Sequence, residues 1–229
     1  MREKLSSRQL SLQRAAELSG KTNDYLEAKK MIPRGLELQH QFDASKKKLL
    51  EHFQGSEDDW NNWKWQLDHI INDVDTLSKI LNLSEQDKND LTILSKKYRW
   101  AVSPYYVSLM DADDVFDPIR LMGLPTVAEL ADQSGEMDPM GEEFTSPADA
   151  ITRRYPDRLI INVTNQCANY CRFCQRRRNI GQIDRHKPKW VLQQSVDYIK
   201  ETPEIRDVLI TGGDSFMLDD DMLEWLISS

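Results

Sequence analysis

The stretch Arg158-Leu159-Ile160-Ile161-Asn162-Val163, followed by Thr164-Asn165-Gln166 and then Cys167-Ala168-Asn169-Tyr170-Cys171-Arg172-Phe173-Cys174, decides the fold. Its first six residues are a short, nearly continuous apolar run, the pattern of a parallel strand buried on both faces. Asp207-Val208-Leu209-Ile210-Thr211 repeats the pattern and runs into Gly212-Gly213-Asp214. Between the two, Lys189 to Thr202 reads as an amphipathic helix with Trp190, Val191, Val196 and Ile199 as core positions, and Asp219 opens another with Leu223, Trp225 and Leu226. Strand, helix, strand, helix at this spacing is a βαβα unit, which requires parallel strands. The cysteines fall directly after the first strand, in the loop where α/β proteins place their chemistry.

Upstream the pattern is different. Residues 1–100 read as a helical region: Ser7 to Lys30 ended by Pro33 and Gly35, and Leu36 to Phe53 closed by Gly55. Ser56 then caps an acidic first turn, and behind it Trp60, Trp63, Leu67, Ile70, Ile71 and Val74 recur at helical spacing, a stripe suited to core or subunit packing. Ser84, with Asp87 as its capping partner, opens a helix carrying Leu91, Ile93 and Leu94. His40, His52 and His69 fall on these helices and read as structural or exposed. Residues 101–157 lack periodicity and hold Pro104, Pro118, Pro125, Pro139, Pro147 and Pro156 among many acids, an irregular connector. Asp111-Ala112-Asp113-Asp114 within it reads as a solvated turn. Residues 158–229 then form the strand-containing part. The fold class is α/β: a helical region followed by the first βα units of a larger sheet or barrel. Two parallel strands leave apolar faces to cover, so the chain is expected to be a piece of a longer protein or to depend on a partner.

Bulk properties narrow the class. Six Trp and seven Tyr among 229 residues argue for a packed protein. No run approaches the roughly 18 apolar residues of a membrane span, and the polar start Met1-Arg2-Glu3-Lys4-Leu5-Ser6-Ser7 has no signal-peptide character, so the expectation is no membrane and a cytoplasmic location. The net charge is −8, yet the stretch from Ile151 to Trp190 sets ten Lys and Arg residues against Asp157 and Asp184 alone. A basic segment in an acidic chain suits a local anionic ligand and argues against a broad nucleic-acid surface.

All three cysteines lie within eight residues, which excludes a disulfide scaffold and favours metal or redox chemistry. Three thiolates are one short of the four that fill an ordinary [4Fe–4S] cluster, and one iron would stay open to a small molecule. The competing reading is a zinc site completed by His186.

The motif Cys167-Ala-Asn-Tyr-Cys171-Arg-Phe-Cys174-Gln-Arg-Arg-Arg178 resembles the lysine 2,3-aminomutase family of radical-SAM, pyridoxal-phosphate-dependent enzymes. So do Trp60-Asn-Asn-Trp63-Lys-Trp65-Gln66, Ser103-Pro-Tyr-Tyr106, Asp117-Pro-Ile-Arg120, Arg154-Tyr-Pro-Asp-Arg158 and Arg206-Asp-Val-Leu-Ile-Thr-Gly-Gly-Asp214, almost end to end. The long helical start and Asn179-Ile180-Gly181 favour the glutamate-acting branch. The resemblance implies a partial radical-SAM (β/α) barrel, and that the chain corresponds to the N-terminal half of the family enzyme. It implies a [4Fe–4S] cluster on Cys167, Cys171 and Cys174, S-adenosyl-L-methionine at Phe173 and Gly212-Gly213-Asp214, and pyridoxal 5′-phosphate held by Arg154, Tyr155 and Arg158. By the same resemblance Arg176 holds the carboxylate of a small-molecule amino-acid substrate.

The implied reaction is an isomerisation that moves an amino group between the α- and β-carbons, L-glutamate to β-glutamate, with L-lysine as the alternative substrate. A flavodoxin- or ferredoxin-like electron donor and a homo-oligomer are implied too. No residue here takes the family's later catalytic roles, so the 229-residue polypeptide is expected to be inactive by itself. Two further alternatives are a radical-SAM modifier of tRNA and a non-catalytic remnant.

Overall fold

The computed structural model describes residues 5–132, 134–181 and 183–229; Met1 to Lys4, part of the N-terminal expectation, lie outside the described residues. The chain divides into two compact units, Met1–Asp43 and Ala44–Ser229. The first boundary therefore falls inside the region that the sequence presents as one helical domain.

In the first unit, α1 (Ser7–Gly20) begins at Ser6, whose hydroxyl accepts from the Gln9 amide while the Gln9 side chain accepts from the Ser6 amide. The expected single helix to Lys30 is broken. Gly20 ends α1, Thr22 turns back to bond the Ser19 carbonyl through its amide and its hydroxyl, and α2 (Asn23–Lys29) starts anew. Neither helix buries a residue. The boundary between the units lies near α3 (Gln39–Phe53), which a short 3-10 turn at Gly35–Leu38 precedes. The helix closes at Gln54, the non-glycine residue that takes the left-handed conformation (φ 55°), followed by Gly55.

The second unit opens with α4 (Glu57–Trp60), α5 (Trp63–Asp68), α6 (Val74–Ile80) and α7 (Glu85–Ser95). Capping boxes at Ser56/Asp59 and Ser84/Asp87 form as expected. The stripe from Trp60 to Val74 does not lie on one helix. Asn62 caps a new helix by accepting from the Lys64 amide, and Ile71 leaves helical geometry to bridge Val102 in an antiparallel pair. Trp60 and Ile71 are core, but Trp63 is 61% exposed. Part of the proline-rich connector, expected to be irregular, is helical and packs into the core. It folds into α8 (Pro104–Ser108), α9 (Pro118–Gly123) and α10 (Ala128–Ala131), and its Val102, Val107, Met110 and Leu124 pack with Leu49, Leu77, Leu81 and Trp100 in one apolar core. Burial of each such side chain contributes about 2 kcal/mol. His69 stacks on Trp65 at 4.4 Å and donates from Nδ1 to the Trp65 carbonyl, a structural role.

A second core surrounds the sheet. β1 (Ile151–Thr152) pairs antiparallel with β2 (Arg158–Thr164), which pairs in parallel with β3 (Asp207–Gly212), in the order β1-β2-β3. Both expected strands are present and parallel, but β3 is not the buried strand expected, since Asp207, Val208 and Leu209 are exposed with no described element covering them; two-residue β1 is too short to carry a signal in sequence. After the four-residue α11 (Arg177–Ile180), α12 (Lys189–Lys200) buries Val191, Leu192 and Val196 against β2, and α13 (Asp220–Ser228), capped by Asp219, buries Leu226. Trp190 is 62% exposed, contrary to expectation, because Leu192 and Ser195 instead complete the buried face of α12. The observed architecture is a helix-dominated α/β fold with a three-stranded sheet. No described helix is long and apolar enough to cross a membrane.

Candidate cysteine-loop site

The end of β2 is shaped to launch a loop. The register with β3 slips between Asn162 and Thr164, so Val163 has no partner across β3, and its carbonyl accepts the Lys187 amide at 2.8 Å. Beyond the slip, Gly213 donates its amide to the Thr164 carbonyl (2.7 Å) and Asp214 to that of Gln166 (2.8 Å). Gly212 has φ 125°, a conformation that L side chains rarely adopt, and a Cβ on either Gly212 or Gly213 would collide with the Thr164 or Gln166 backbone. The glycines thus have a structural reason: they let the end of β3 close on the segment leading into Cys167.

The cysteine loop is stitched to the connector. Tyr170 donates its amide to the Ala101 carbonyl and Arg172 to that of Met122. The Arg172 side chain, almost wholly buried, forms a bidentate pair with Glu129 (3.0 and 2.5 Å) and donates to the Arg99 carbonyl. The Tyr170 hydroxyl donates to Asp184 at 2.7 Å, Asp184 pairs with Arg99, and the Arg99 guanidinium lies 4.1 Å from the centre of the Tyr170 ring. Burial, then the bond to Asp184, pushes the Tyr170 hydroxyl well above the ordinary phenol range.

Cys167, Cys171 and Cys174 line one cavity of about 320 Å³, with Tyr98, Met137, Tyr170, Arg177, Arg178 and Ile180 among its walls. All three thiols are free, and Cys167 and Cys174 pack on Ala101, Tyr170 and Ile180. Burial, aided by the negative charge of Asp214 and the neighbouring cysteines, pushes the Cys167 thiol up to about 12. Among the described residues, no three His, Cys, Asp or Glu side chains meet as ligands of a single metal ion. His186 does not complete a zinc site; it bridges Thr164 in an antiparallel pair, its Nδ1 is 3.0 Å from the Thr164 hydroxyl, and it lines a different cavity. Three soft thiols around one cavity, with no fourth cysteine in the chain, fit a sulfur-ligated cluster better than a mononuclear site.

The remaining candidates are distributed unevenly. Phe173, in the same loop, is 65% exposed. Asp214 caps the turn after β3 by accepting from the Phe216 amide. Arg154 and Tyr155 are exposed, and Arg158, at the start of β2, lies over the Tyr155 ring (5.5 Å) and pairs with Asp157 at 3.2 Å. This Arg-Tyr-Arg set has the chemistry of a phosphate site, and it lies at the start of β2, the opposite end from the one that leads into the cysteine loop.

Sequence reasoning missed the acids that face the arginine run. Glu142 pairs with Arg176 at 3.3 Å, and Asp138 and Glu143 pair with Arg178 at 3.2 and 3.5 Å. Arg177 instead caps the loop itself, donating to the Cys171 and Arg172 carbonyls. The cluster of acids at 138–143 was the available signal, but nothing local says which base it meets.

No family model matches the chain. Among curated proteins, it is 58% identical over 219 residues to the glutamate 2,3-aminomutase of Clostridioides difficile (strain 630), covering 96% of this chain and 52% of that protein. It is 43% identical over 172 residues to the L-lysine 2,3-aminomutase of Bacillus subtilis (strain 168), covering 75% of this chain and 36% of the relative. With the L-lysine 2,3-aminomutase of Clostridium subterminale it shares 40% over 174 residues, covering 76% and 42%. The chain spans about half the length, or less, of these curated relatives. On this likeness, which extends well beyond the cysteine loop, the chain is similar to the lysine 2,3-aminomutase family of proteins.

Proposed function

We propose that this chain is the cluster-bearing part of a radical-SAM, pyridoxal-phosphate-dependent 2,3-aminomutase whose substrate is L-glutamate and whose product is β-glutamate. The observation that carries the reading is the single cavity shared by Cys167, Cys171 and Cys174. The three thiolates would hold a [4Fe–4S] cluster with one iron open, and Phe173 and Gly212-Gly213-Asp214 would lie along the S-adenosylmethionine that binds there. When bound, these groups supply the radical chemistry and pyridoxal phosphate the activation of the amine.

This chain's own residues do three things in the reading. The walls formed by Tyr98, Met137, Tyr170 and Ile180 keep the cluster side of the site apolar, which favours exclusion of water. Arg176 holds the substrate's α-carboxylate. Arg154, Tyr155 and Arg158 offer phosphate-binding chemistry.

The glutamate assignment is supported by the 58% identity to a protein of that name; the L-lysine reading is supported by relatives at 36–43%. Cytoplasmic residence, a small flavin or iron–sulfur electron carrier and self-association belong to the same proposal. The salt bridges that acids make to Arg176 and Arg178 weigh against a tRNA-reading role for that loop. The 229-residue polypeptide is proposed to be inactive by itself, since it spans about half of its relatives and exposes apolar residues of β3.

Anaerobic reconstitution tests the core of the proposal. About four irons and four sulfides per chain are expected, with a cluster spectrum that changes on adding S-adenosylmethionine. Zinc uptake in place of a cluster, or a spectrum indifferent to S-adenosylmethionine, would sink it. Isotope-resolved turnover of L-glutamate by the polypeptide alone would overturn the inactivity.

A further inference from the structure

Three consecutive arginines follow the cysteine loop, and their environments differ. Arg177 is a staple, with Nη2 donating to the Cys171 and Arg172 carbonyls at 2.9 and 2.8 Å. Arg178 is shared between Asp138 and Glu143. Among the described residues Arg176 meets one acid: its Nη2 lies 3.3 Å from Oε1 of Glu142, and its Nε is buried with no hydrogen-bond partner.

Glu142 is not a mobile surface acid. It is 5% exposed and begins a short 3-10 turn. Its amide donates to Asp138 Oδ1 at 2.9 Å, and its carbonyl accepts the hydroxyls of Ser146 and Thr145. Thr145 in turn accepts the Arg153 amide, which ties the turn to the residues following β1. The backbone bonds from Glu142 and Glu143 hold the Asp138 carboxyl below the usual carboxylate range, and Arg178 and Arg154 add to this. The carboxylate of Glu142 is therefore presented from a fixed backbone.

A buried N–H without an acceptor is costly, so such groups persist where a ligand completes them. A guanidinium also has donors enough for two carboxylates, one at each edge. We propose that Glu142 is a positioning residue for Arg176: it holds the guanidinium at Nη2 and leaves Nε–H for the carboxylate of an amino-acid substrate. This rests on the proposed role of Arg176 and deepens it. Holding an arginine in one rotamer before the ligand arrives removes part of the ordering cost of binding.

The test is arginine modification of the 229-residue chain by phenylglyoxal, read residue by residue by peptide mass spectrometry. Arg34, whose side chain is 85% exposed, is the internal reference, and buried Arg172 and half-buried Arg177 are controls. Arg176 should react far more slowly than Arg34 in the wild type. Glu142→Ala should raise its rate about fivefold, with Arg172 and Arg177 unchanged and Glu142→Asp partly restoring protection. The isosteric Glu142→Gln, which keeps the packing, should show a smaller rise of the same sign, and covers the case in which the alanine variant does not fold. An unchanged Arg176 in both Glu142→Ala and Glu142→Gln, or a parallel rise at all three arginines, would overturn the pairing.

Millimolar L-glutamate should protect Arg176 in the wild type and, in Glu142→Ala, only at about fivefold higher concentration. Absence of protection in the wild type would overturn Arg176 as the carboxylate holder while the alanine effect still supported the pairing. Equal protection in both proteins would overturn the positioning role alone.

Discussion

β2 and β3 are near twins in sequence, Arg-Leu-Ile-Ile-Asn-Val-Thr against Asp-Val-Leu-Ile-Thr-Gly, and they lie side by side in parallel. Their surroundings differ. β2 has β1 on one edge and β3 on the other, and buries Leu159, Ile161 and Val163 with α12 beneath them. β3 has a described partner on one edge, and its Val208 and Leu209 stand in solvent, Leu209 at 58% exposure. A strand's existence is thus a local property, while its burial belongs to its neighbours.

The largest test of that contrast is a paired charge substitution. Ile161→Asp, which places a carboxylate in the second core, should cost about 4 kcal/mol or more and leave the unit largely unfolded. Leu209→Asp on β3 should cost under about 1 kcal/mol in the same polypeptide. Urea melts of the two variants measure the difference; equal losses would mean that β3 is as enclosed as β2.

A smaller effect is expected where the strands meet the cysteine loop. Gly213→Ala puts a methyl group into the Gln166 backbone, so the bond from Asp214 to Gln166 must open, at about 2 kcal/mol. Hydrogen exchange at the Asp214 amide should accelerate while that of the β2 interior is unchanged. Equal protection in variant and wild type would show that the two ends are not packed as described.

The mildest is a pH effect confined to one thiol. With its pKa near 12, Cys167 stays protonated at pH 8.5, so iodoacetamide should label it about tenfold or more slowly than a small thiol of ordinary pKa. Its labelling rate should still be climbing above pH 10. The linked sign is that the folded state holds this proton more tightly than the unfolded chain. Its stabilisation is complete below the unfolded value of about 8.5 and is lost as pH rises toward 12. A rate that levels off by pH 9 would refute the burial of that sulfur.

What was legible in sequence was what neighbours in the chain decide. The caps at Ser56, Ser84 and Asp219 depend on residues three positions away, and the parallel strands on unbroken apolar runs, so all were readable. Trp190 was misplaced because period marks a helix but does not say which side of its apolar arc meets the core. The connector was underestimated because its short helices are held by packing and by Pro104 and Pro118 at their first positions, without a period to show it. At the site, the three thiols stood out by their spacing, and all three line one cavity. The acids on Arg172, Arg176 and Arg178 were not, since those partners are set by tertiary folding.

The anchoring of the cysteine loop has a kinetic consequence. Arg172 reaches Glu129 and the Arg99 carbonyl, 43 and 73 residues earlier, and Asp184 reaches Arg99 across 85. Loops of that length close slowly, after local helices have formed. During synthesis the residues at 99–129 leave the ribosome before the thiols do, so each cysteine emerges after the partners its loop will bond. A short peptide carrying only the three thiols would have the sulfurs without the mould.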